Sequence, residues 1–295
     1  MINPRLDASL QQETPKDISQ YHISGKLDSD SLKVLHFWNT AGVGGYIAKY
    51  MDQYCGTQSL AVMRKSCDPF NLMQKGKVYD ERAAIFVLRR ILAARKFDVL
   101  HIHSSEKFIR FLKVIYPKKK IILHYHGTRI RGKWKEKKKY WSYADEILVS
   151  TPDLLEGAPK NTIYVPNIID EDLFSAFSHN QKMCAAFHVD RFASDIAKKY
   201  ATKYNLELVI YNRDKNPLDH NEFAKKISQY EYYIDVKRDF HDGKKILQAT
   251  SLTGFEALFS GSILIDWKGN MITSYPEDHR AENVVRRLYK IYTEH

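Results

Sequence analysis

The sequence predicts an α/β protein with two Rossmann-like domains, in which helices flank parallel sheets. Short apolar runs alternate with amphipathic helical segments along the 295 residues. Most of these runs are apolar throughout, as expected of strands that helices cover on both faces. The alternation restarts after residue 170, and the chain is long enough for two domains of this kind.

The first half begins with a polar stretch, residues 1–30, which we interpret as an N-terminal arm. Apolar runs then predict strands at residues 32–38, 59–63, 99–103, 121–126, 146–149 and 162–165. Helical patterns between them predict helices at residues 46–54, 81–95, 106–116 and 133–143. This alternation predicts an N-terminal domain over residues 31–166.

The second half begins at a Pro-Asn pair and an acidic cluster, within residues 165–172. Strands are predicted at residues 185–189, 207–211, 232–236 and 262–266, and helices at 193–204, 221–229 and 254–259. Residues 282–292 carry apolar side chains at helical spacing. We therefore predict a C-terminal domain over residues 167–278 and a terminal helical segment over residues 279–295.

The composition limits the partners and the compartment. Lys and Arg number 46 against 35 Asp and Glu, which gives a net charge of +11. Such a surplus favours nucleic acid, an anionic membrane or phosphorylated ligands. Three scattered cysteines without C-x-x-C spacing argue against a structural zinc site and fit a reducing compartment. Without a signal core or a membrane-spanning apolar stretch, we expect a cytoplasmic protein that can lie on a membrane.

A glycine-rich turn follows the first predicted strand. Gly42, Gly44 and Gly45 form a G-x-G-G pattern, which would let backbone amides approach a phosphate or sugar. The same glycines would suit a tight strand-to-helix turn with positive φ. The pattern differs from G-x-G-x-x-G, and no acidic residue follows where a dinucleotide ribose would need it. A dehydrogenase is therefore disfavoured.

A second candidate segment covers residues 248–261, around a short predicted helix. Glu256 follows Gly254 closely, in the first turns of that helix. Free amides at a helix N-terminus suit a diphosphate, and a carboxylate nearby can accept hydrogen bonds from ribose hydroxyls. The alternative is a capping box, with Thr253 as the N-cap and Glu256 at the third helical position.

This segment resembles the donor-binding signature of retaining GT-B glycosyltransferases of family 4. Glu256, Ala257 and Gly261 match that signature in register, whereas Gln248 replaces its first acidic residue. Other matches follow in the correct order: the Gly44-Gly45 pair, the segment 98–103, and the segment 165–174 that resembles the family's interdomain motif. Together these matches cover most of the chain.

The resemblance implies a division of roles. The N-terminal domain would hold the acceptor and the C-terminal domain a UDP- or GDP-linked sugar, with Gly44 and Gly45 near the donor phosphates. Glu256 would bind the ribose, and His126 and Gln248 would position the sugar. The diphosphate would contact the amides of four consecutive residues, Ser251, Leu252, Thr253 and Gly254. It also implies that no metal is required and that the terminal helix packs back on the N-terminal domain.

The sequence identifies the basic residues that would neutralise the leaving diphosphate less clearly. Family members carry a Gly-Arg and a later Lys for this purpose, and no Gly-Arg occurs early in the second half. Arg191 and Lys198 are the nearest candidates, and Arg213 is another. Lys198 could equally belong to the solvated face of a helix.

Four histidines fall in two predicted strands at i, i+2 spacing: His101 with His103, and His124 with His126. Residues i and i+2 share one face of a strand. A metal site is one interpretation, but no Asp or Cys accompanies either pair, so we predict none. His126 ends its strand, where an α/β fold binds ligands. We interpret His101 and His124 as core residues.

The positive charge is concentrated between Lys107 and Lys139, a segment that we call the basic belt. It contains thirteen Lys or Arg and one acidic residue, Glu136, with interleaved aromatic residues. The pattern suits an anionic membrane surface, and it would also suit nucleic acid. A solvated charged face over buried aromatic side chains is the third interpretation.

The functional prediction is a retaining, hexosyltransferase-type glycosyltransferase. Its acceptor would be a glycan, such as a cell-surface glycan precursor, or lipid-linked, and the basic belt would bind the inner face of the cell membrane. The alternative is a non-catalytic, glycosyltransferase-like scaffold, because Gln248 replaces an acidic residue and the Gly-Arg is missing. A nucleic-acid-binding protein is less favoured, since no compact nucleic-acid motif occurs.

Overall fold

The computed structural model describes residues 31–68, 73, 76–127, 129–190, 192–239 and 243–294. The predicted N-terminal arm, residues 1–30, lies outside the described residues, as does Arg191. The domain boundaries at residues 166 and 278 stay predictions.

The first sheet has seven parallel strands in the order β3-β2-β1-β4-β5-β6-β7. Its strands are β1 (Lys33–Phe37), β2 (Gln58–Arg64), β3 (Lys77–Tyr79), β4 (Val99–His103), β5 (Lys120–Tyr125), β6 (Glu146–Val149) and β7 (Ile163–Tyr164). The helices of this half are α1 (Val43–Cys55), α2 (Ala83–Ala93), α3 (Ile109–Ile115) and α4 (Trp134–Trp141). β1, β4 and β5 are buried almost throughout, which explains their uniformly apolar pattern.

The second sheet has five strands in the order β12-β11-β10-β8-β9, and only β12 runs antiparallel. The strands are β8 (Met183–Val189), β9 (Glu207–Tyr211), β10 (Tyr230–Ile234), β11 (Ile263–Ile265) and β12 (Met271–Ile272). The helices are α5 (Glu171–Ser175), α6 (Ser194–Lys203), α7 (His220–Ile227), α8 (Leu252–Phe259) and α9 (Ala281–Thr293). Two sheets flanked by helices confirm the predicted fold class. The short strands β3 and β12 and the helix α5 were not predicted from the sequence.

Each sheet contains a point at which the chain reverses its direction of travel across the sheet. In the first sheet this point lies between β1 and β4, and in the second between β8 and β10. Ligand crevices of open α/β sheets form at the carboxyl ends of strands at such points. Four non-glycine residues with positive φ follow these strands: Trp38, Ala41, Ser104 and Phe192. Strained backbone is therefore concentrated where the fold favours ligand binding.

α9 packs against α1, and together they cover one face of the first sheet. α9 presents an apolar stripe at helical spacing, formed by Ala281, Val284, Val285, Leu288, Ile291 and Tyr292. These side chains share one core cluster with β1, α1 and the segment around Val165. Within the described residues, every helix is too short or too polar to cross a bilayer.

We expect Leu288→Ala to destabilise the protein, because Leu288 is fully buried between α9 and α1. The loss of its side chain should lower the free energy of unfolding by about 2–5 kcal/mol. Chemical denaturation followed by circular dichroism measures this change. Lys290→Ala, an exposed substitution on the same helix, is the control. An equal effect of both substitutions would show that the α9 stripe does not stabilise the fold.

Candidate functional site

The glycine-rich turn forms the start of α1, at the reversal point of the first sheet. The amide of Gly45 donates to Asn39 Oδ1 at 2.8 Å, so Asn39 satisfies one of the otherwise unpaired amides at the helix N-terminus. A Cβ at Gly44 would lie 2.8 Å from the Trp38 carbonyl oxygen and 3.3 Å from a ring carbon of His103. Close packing of α1 on β1 and β4 therefore requires glycine at this position. The predicted contact of Gly44 and Gly45 with donor phosphates stays a prediction.

Five histidines line the face of the first sheet beneath α1 and α9. His36, His101, His103 and His124 are fully buried, and His126 is half-buried at the carboxyl edge. The sheet register places His36 beside His101 and His103 beside His124. Burial lowers the pKa of each ring well below its usual value. The imidazoles are therefore neutral at neutral pH.

Both ring nitrogens of His126 have protein partners. Nε2 lies 2.9 Å from His103 Nδ1, and Nδ1 lies 2.9 Å from Asn167 Oδ1. Burial lowers the pKa of His126 to about 4, and the hydrogen bond to Asn167 opposes this shift. A sugar at this ring would meet its C–H edges or its faces. Asn167 belongs to the segment that resembles the interdomain motif, but its contact with His126 joins residues 41 positions apart and is visible only in the tertiary structure.

Glu256 is buried within α8, with 5% of its surface exposed. Burial raises its pKa to about 7, whereas the positive charges of Arg213 and Lys237 oppose the rise and Asp170 adds to it. A carboxyl group with this pKa changes its charge near neutral pH, as binding and catalytic groups do. Lys237 was missed from the sequence; its signal was its place just after β10, at the reversal point of the second sheet.

The N-terminus of α8 already faces a protein carboxylate. Asp235 accepts hydrogen bonds from both the amide and the hydroxyl of Ser251, each at 2.6 Å. The N-cap is Ser251, whose oxygen accepts from the Gly254 amide at 3.0 Å, and not Thr253 as in the alternative interpretation of a capping box. A Cβ at Gly254 would lie 2.5 Å from Asp235 Oδ2, so this position requires glycine. Two of the four amides predicted to bind a diphosphate thus donate to protein oxygens.

The other predicted site residues lie on more open surfaces. Gln248 is exposed in the segment that precedes α8, and Leu252 and Thr253 are half-buried in its first turn. Lys198 is exposed on α6, as expected for a solvated helix face. Its predicted contact with the donor stays a prediction.

Polar contacts connect α1 to the second half of the chain. The Tyr46 hydroxyl lies 2.7 Å from His220 Nε2, at the start of α7. Lys49 pairs with Asp170 at 2.7 Å and with Asp172 at 2.6 Å, at the start of α5. Burial raises the pKa of Tyr46 well above its usual value, and the nearby carboxyl of Glu256 raises it further. α1 therefore lies close to the Glu256 site as well as to the histidines.

A cavity of about 820 Å³ opens between the basic belt and the segment that precedes α8. Its lining includes Arg131, Lys133, Trp134, Asp153, Asp239 and Lys245. The volume is in the range of small-molecule sites, and both halves of the chain contribute to the wall. Glu256 and His126 are not part of this lining.

Comparison with known proteins finds structural likeness only. No protein-family model and no curated protein matches the chain. The chain is similar in structure to sucrose-phosphate synthase from Thermosynechococcus elongatus, with 11% identity, a TM-score of 0.49, and coverage of 88% of this chain and 90% of that chain. It is also similar to UDP-GlcNAc 2-epimerase from Methanocaldococcus jannaschii, with 12% identity, a TM-score of 0.44, and coverage of 90% of this chain and 93% of that chain. A third similar structure is a calicheamicin glycosyltransferase, with 9% identity, a TM-score of 0.42, and coverage of 90% of this chain and 91% of that chain. Likeness at this level assigns neither a family nor an activity.

We expect Asp235→Asn to destabilise the second half of the chain. The amide group of Asn would turn an NH₂ towards one of the two Ser251 donors, leaving a buried mismatch that costs about 1–3 kcal/mol. Denaturant unfolding measures the change. The control is Asp195→Asn, because Asp195 pairs with Arg238 at an exposed position and should matter much less. Equal losses in both variants would contradict the assigned role of Asp235.

Proposed function

We propose that this protein is a retaining GT-B glycosyltransferase that resembles family 4 and transfers a hexose from a UDP- or GDP-linked donor. The observation that carries the proposal is the buried carboxyl of Glu256, which lies on α8 and close to the charges of Arg213 and Lys237. Ribose hydroxyls and a diphosphate are the ligand groups that such a pair of opposite charges can bind together.

The proposed donor site uses the reversal point of the second sheet. Glu256 accepts hydrogen bonds from the ribose, and Arg213 and Lys237 neutralise the diphosphate as it leaves. Arg191 and Lys198 remain further candidates for the same charge. Since the leaving group is stabilised by side chains, the proposed transfer requires no metal ion.

Asp235 changes how the diphosphate is expected to bind. Its carboxylate lies against Ser251 and Gly254, where a second anion would be repelled. The amides of Leu252 and Thr253 remain the proposed backbone donors. Because fewer backbone amides are available, the proposed binding of the diphosphate depends mainly on side-chain cations.

The sugar and the acceptor are proposed to lie towards the first sheet. His126 and Gln248 would position the transferred sugar, with Gly44 and Gly45 near the donor phosphates. The acceptor, a glycan or a lipid-linked precursor, would occupy the N-terminal domain. Retention of configuration is proposed from the match at Glu256, Ala257 and Gly261.

We expect nucleotide binding to strengthen as the pH rises through the pKa of Glu256. Its ordinary pKa of 4.5 is raised to about 7, so the carboxylate that accepts from ribose forms mainly above that pH. Calorimetric titration with UDP and GDP should give a Kd that falls between about pH 6 and pH 8. Glu256→Gln should weaken binding by about tenfold or more and leave only the pH dependence that comes from the terminal phosphate of the nucleotide, whose pKa is about 6. Glu282→Gln, on the exposed face of α9, is the control.

Assays on the wild type and on Glu256→Gln distinguish a transferase from a non-catalytic scaffold. Sugar transfer or donor hydrolysis with a panel of UDP- and GDP-sugars, lost in Glu256→Gln, supports the transferase. Nucleotide binding without turnover of any donor favours the non-catalytic scaffold. Binding that is equal in wild type and Glu256→Gln would contradict the donor site.

We further propose that the N-terminal domain binds an anionic membrane surface through α2, α3 and α4. α2 and α3 are neighbours, since the Tyr116 hydroxyl beyond α3 donates to the Ile91 carbonyl of α2 at 2.8 Å. They expose six large apolar side chains, which are Ile85, Leu88, Leu92, Phe111, Val114 and Ile115. We call this surface the apolar patch. Exposed apolar surface of this kind is a mark of an interaction site.

The basic belt is adjacent to the apolar patch, because α4 packs against α3. Lys113, Arg131 and Lys137 form ion pairs within the protein, so part of the belt is neutralised. Among the other basic residues of the belt, Lys135, Lys138 and Lys139 are exposed on α4 and supply positive charge there. Apolar side chains beside lysines match the two-part chemistry of an anionic bilayer surface.

We expect the double substitution Leu88→Glu, Val114→Glu to weaken membrane binding by at least about tenfold, because it removes apolar contact and adds negative charge. Co-sedimentation with phosphatidylcholine vesicles, with and without phosphatidylglycerol, measures the effect. Met271→Glu, at a similarly exposed apolar position on β12, is the matched control. Unchanged vesicle binding by the double variant, or stronger binding to RNA than to anionic vesicles, would contradict the proposal.

A further inference from the structure

We propose that His103, His124 and His126 form a binding site for a divalent transition-metal ion, with Zn²⁺ as its probe, at the carboxyl edge of the first sheet. One nitrogen from each ring lies within 4.8 Å of the other two. His126 is also the residue proposed to position the transferred sugar, so the metal site would adjoin the proposed sugar site. The leaving diphosphate is proposed to be neutralised by side-chain cations and not by this metal.

The sheet itself brings the three rings together. His124 and His126 are two residues apart at the end of β5, so their side chains share a face. His103 ends β4, and the parallel register pairs it with His124. His103 and His124 are thus held by the backbone hydrogen bonds of the sheet. His126 lies one residue beyond β5, and its amide donates to Ser104 Oγ at 3.2 Å. Three histidines with an open fourth position are an established zinc-binding set.

The spacing of the nitrogens suits a metal ion. Zinc binds imidazole nitrogen at about 2.0–2.1 Å, which places two ligand nitrogens of a tetrahedral site about 3.3 Å apart. His103 Nδ1 and His126 Nε2 are 2.9 Å apart, so a small widening admits an ion between them. Neither nitrogen of the fully buried His124 ring makes a well-formed hydrogen bond within the described residues, although the Val165 backbone lies close to the ring. An ion would satisfy this third ring.

The surroundings orient the rings as metal ligands. A metal-bound histidine usually donates its second N–H to a neighbouring acceptor, which fixes the tautomer. Asn167 Oδ1 accepts from His126 Nδ1 at 2.9 Å, so the lone pair of Nε2 points towards His103. His103 Nε2 lies 3.2 Å from His36 Nδ1, which can accept in the same way.

A second triad on the same face is a poorer site. His36, His101 and His103 also meet the distance criterion, but all three are fully buried. His101 Nδ1 is already 2.6 Å from the Tyr292 hydroxyl of α9. The first triad includes His126, which is partly exposed at the carboxyl edge of the sheet. His101 therefore provides a test of which triad binds.

The experiment uses the full chain without a polyhistidine tag, stripped with EDTA and dialysed against Zn²⁺. Elemental analysis should find one Zn²⁺ per chain, and the Co²⁺-loaded protein should show the visible absorption of a four-coordinate site. His126→Gln should lose at least about 100-fold in Zn²⁺ affinity, and Asn167→Ala about 10–100-fold. His101→Gln and the exposed His179→Gln should bind as the wild type does.

Thermal unfolding with and without Zn²⁺ distinguishes a loss of metal binding from a loss of stability in a variant. Zn²⁺ should raise the Tm of the wild type and of His179→Gln, but not that of His126→Gln, because only bound ligand stabilises the fold. The proposal is overturned by two results: wild-type protein that retains no stoichiometric metal, or loss of binding in His101→Gln with full binding in His126→Gln. Either result is independent of sugar transfer.

Discussion

The burial of α1 is the constraint on which the rest of the structure depends. One side of this helix packs on β1 and β4 so closely that Gly44 has no room for a side chain. α9 covers it with a continuous apolar stripe, and the two helices bury the histidine face of the sheet. Its polar residues, Tyr46 and Lys49, then contact α7 and α5. A change that moved α1 would disturb the core, the histidines and the contacts to the second half together.

Burial also controls the chemistry of both candidate sites, with opposite results for acids and bases. A buried carboxyl resists ionisation, so Glu256 reaches a pKa near 7 although Arg213 and Lys237 oppose the shift. A buried imidazole resists protonation, so His103, His124 and the half-buried His126 stay neutral. The first effect suits a group that accepts hydrogen bonds from a nucleotide near neutral pH. The second effect keeps imidazole lone pairs unprotonated at the site where we propose that a divalent transition-metal ion binds.

The two halves use their sheet edges differently. At the first reversal point, strand register brings together imidazoles from β4 and β5. At the second, a carboxylate just after β10 pairs with the N-cap of α8, and a lysine two residues later lies near Glu256. Asp235 thus takes the role that a ligand phosphate often has at a helix N-terminus. Because Asp235 occupies this position, the proposed donor site relies on Arg213 and Lys237 for positive charge.

The sequence by itself determined the features that depend on local pattern. Uniformly apolar runs predicted β1, β4 and β5, and the pattern around Glu256 predicted α8. The glycine-rich segment predicted a turn followed by a helix from residue 46, whereas α1 begins earlier, at Val43, and includes Gly44 and Gly45. Long-range geometry was decided only by the tertiary structure: the pairing of His103 with His124, the bond from Asn167 to His126, and the carboxylate of Asp235 at Ser251. The physical reason is that strand order and register follow from packing across the whole sheet. Periodicity records which face of an element is buried, but it does not record which neighbour covers it.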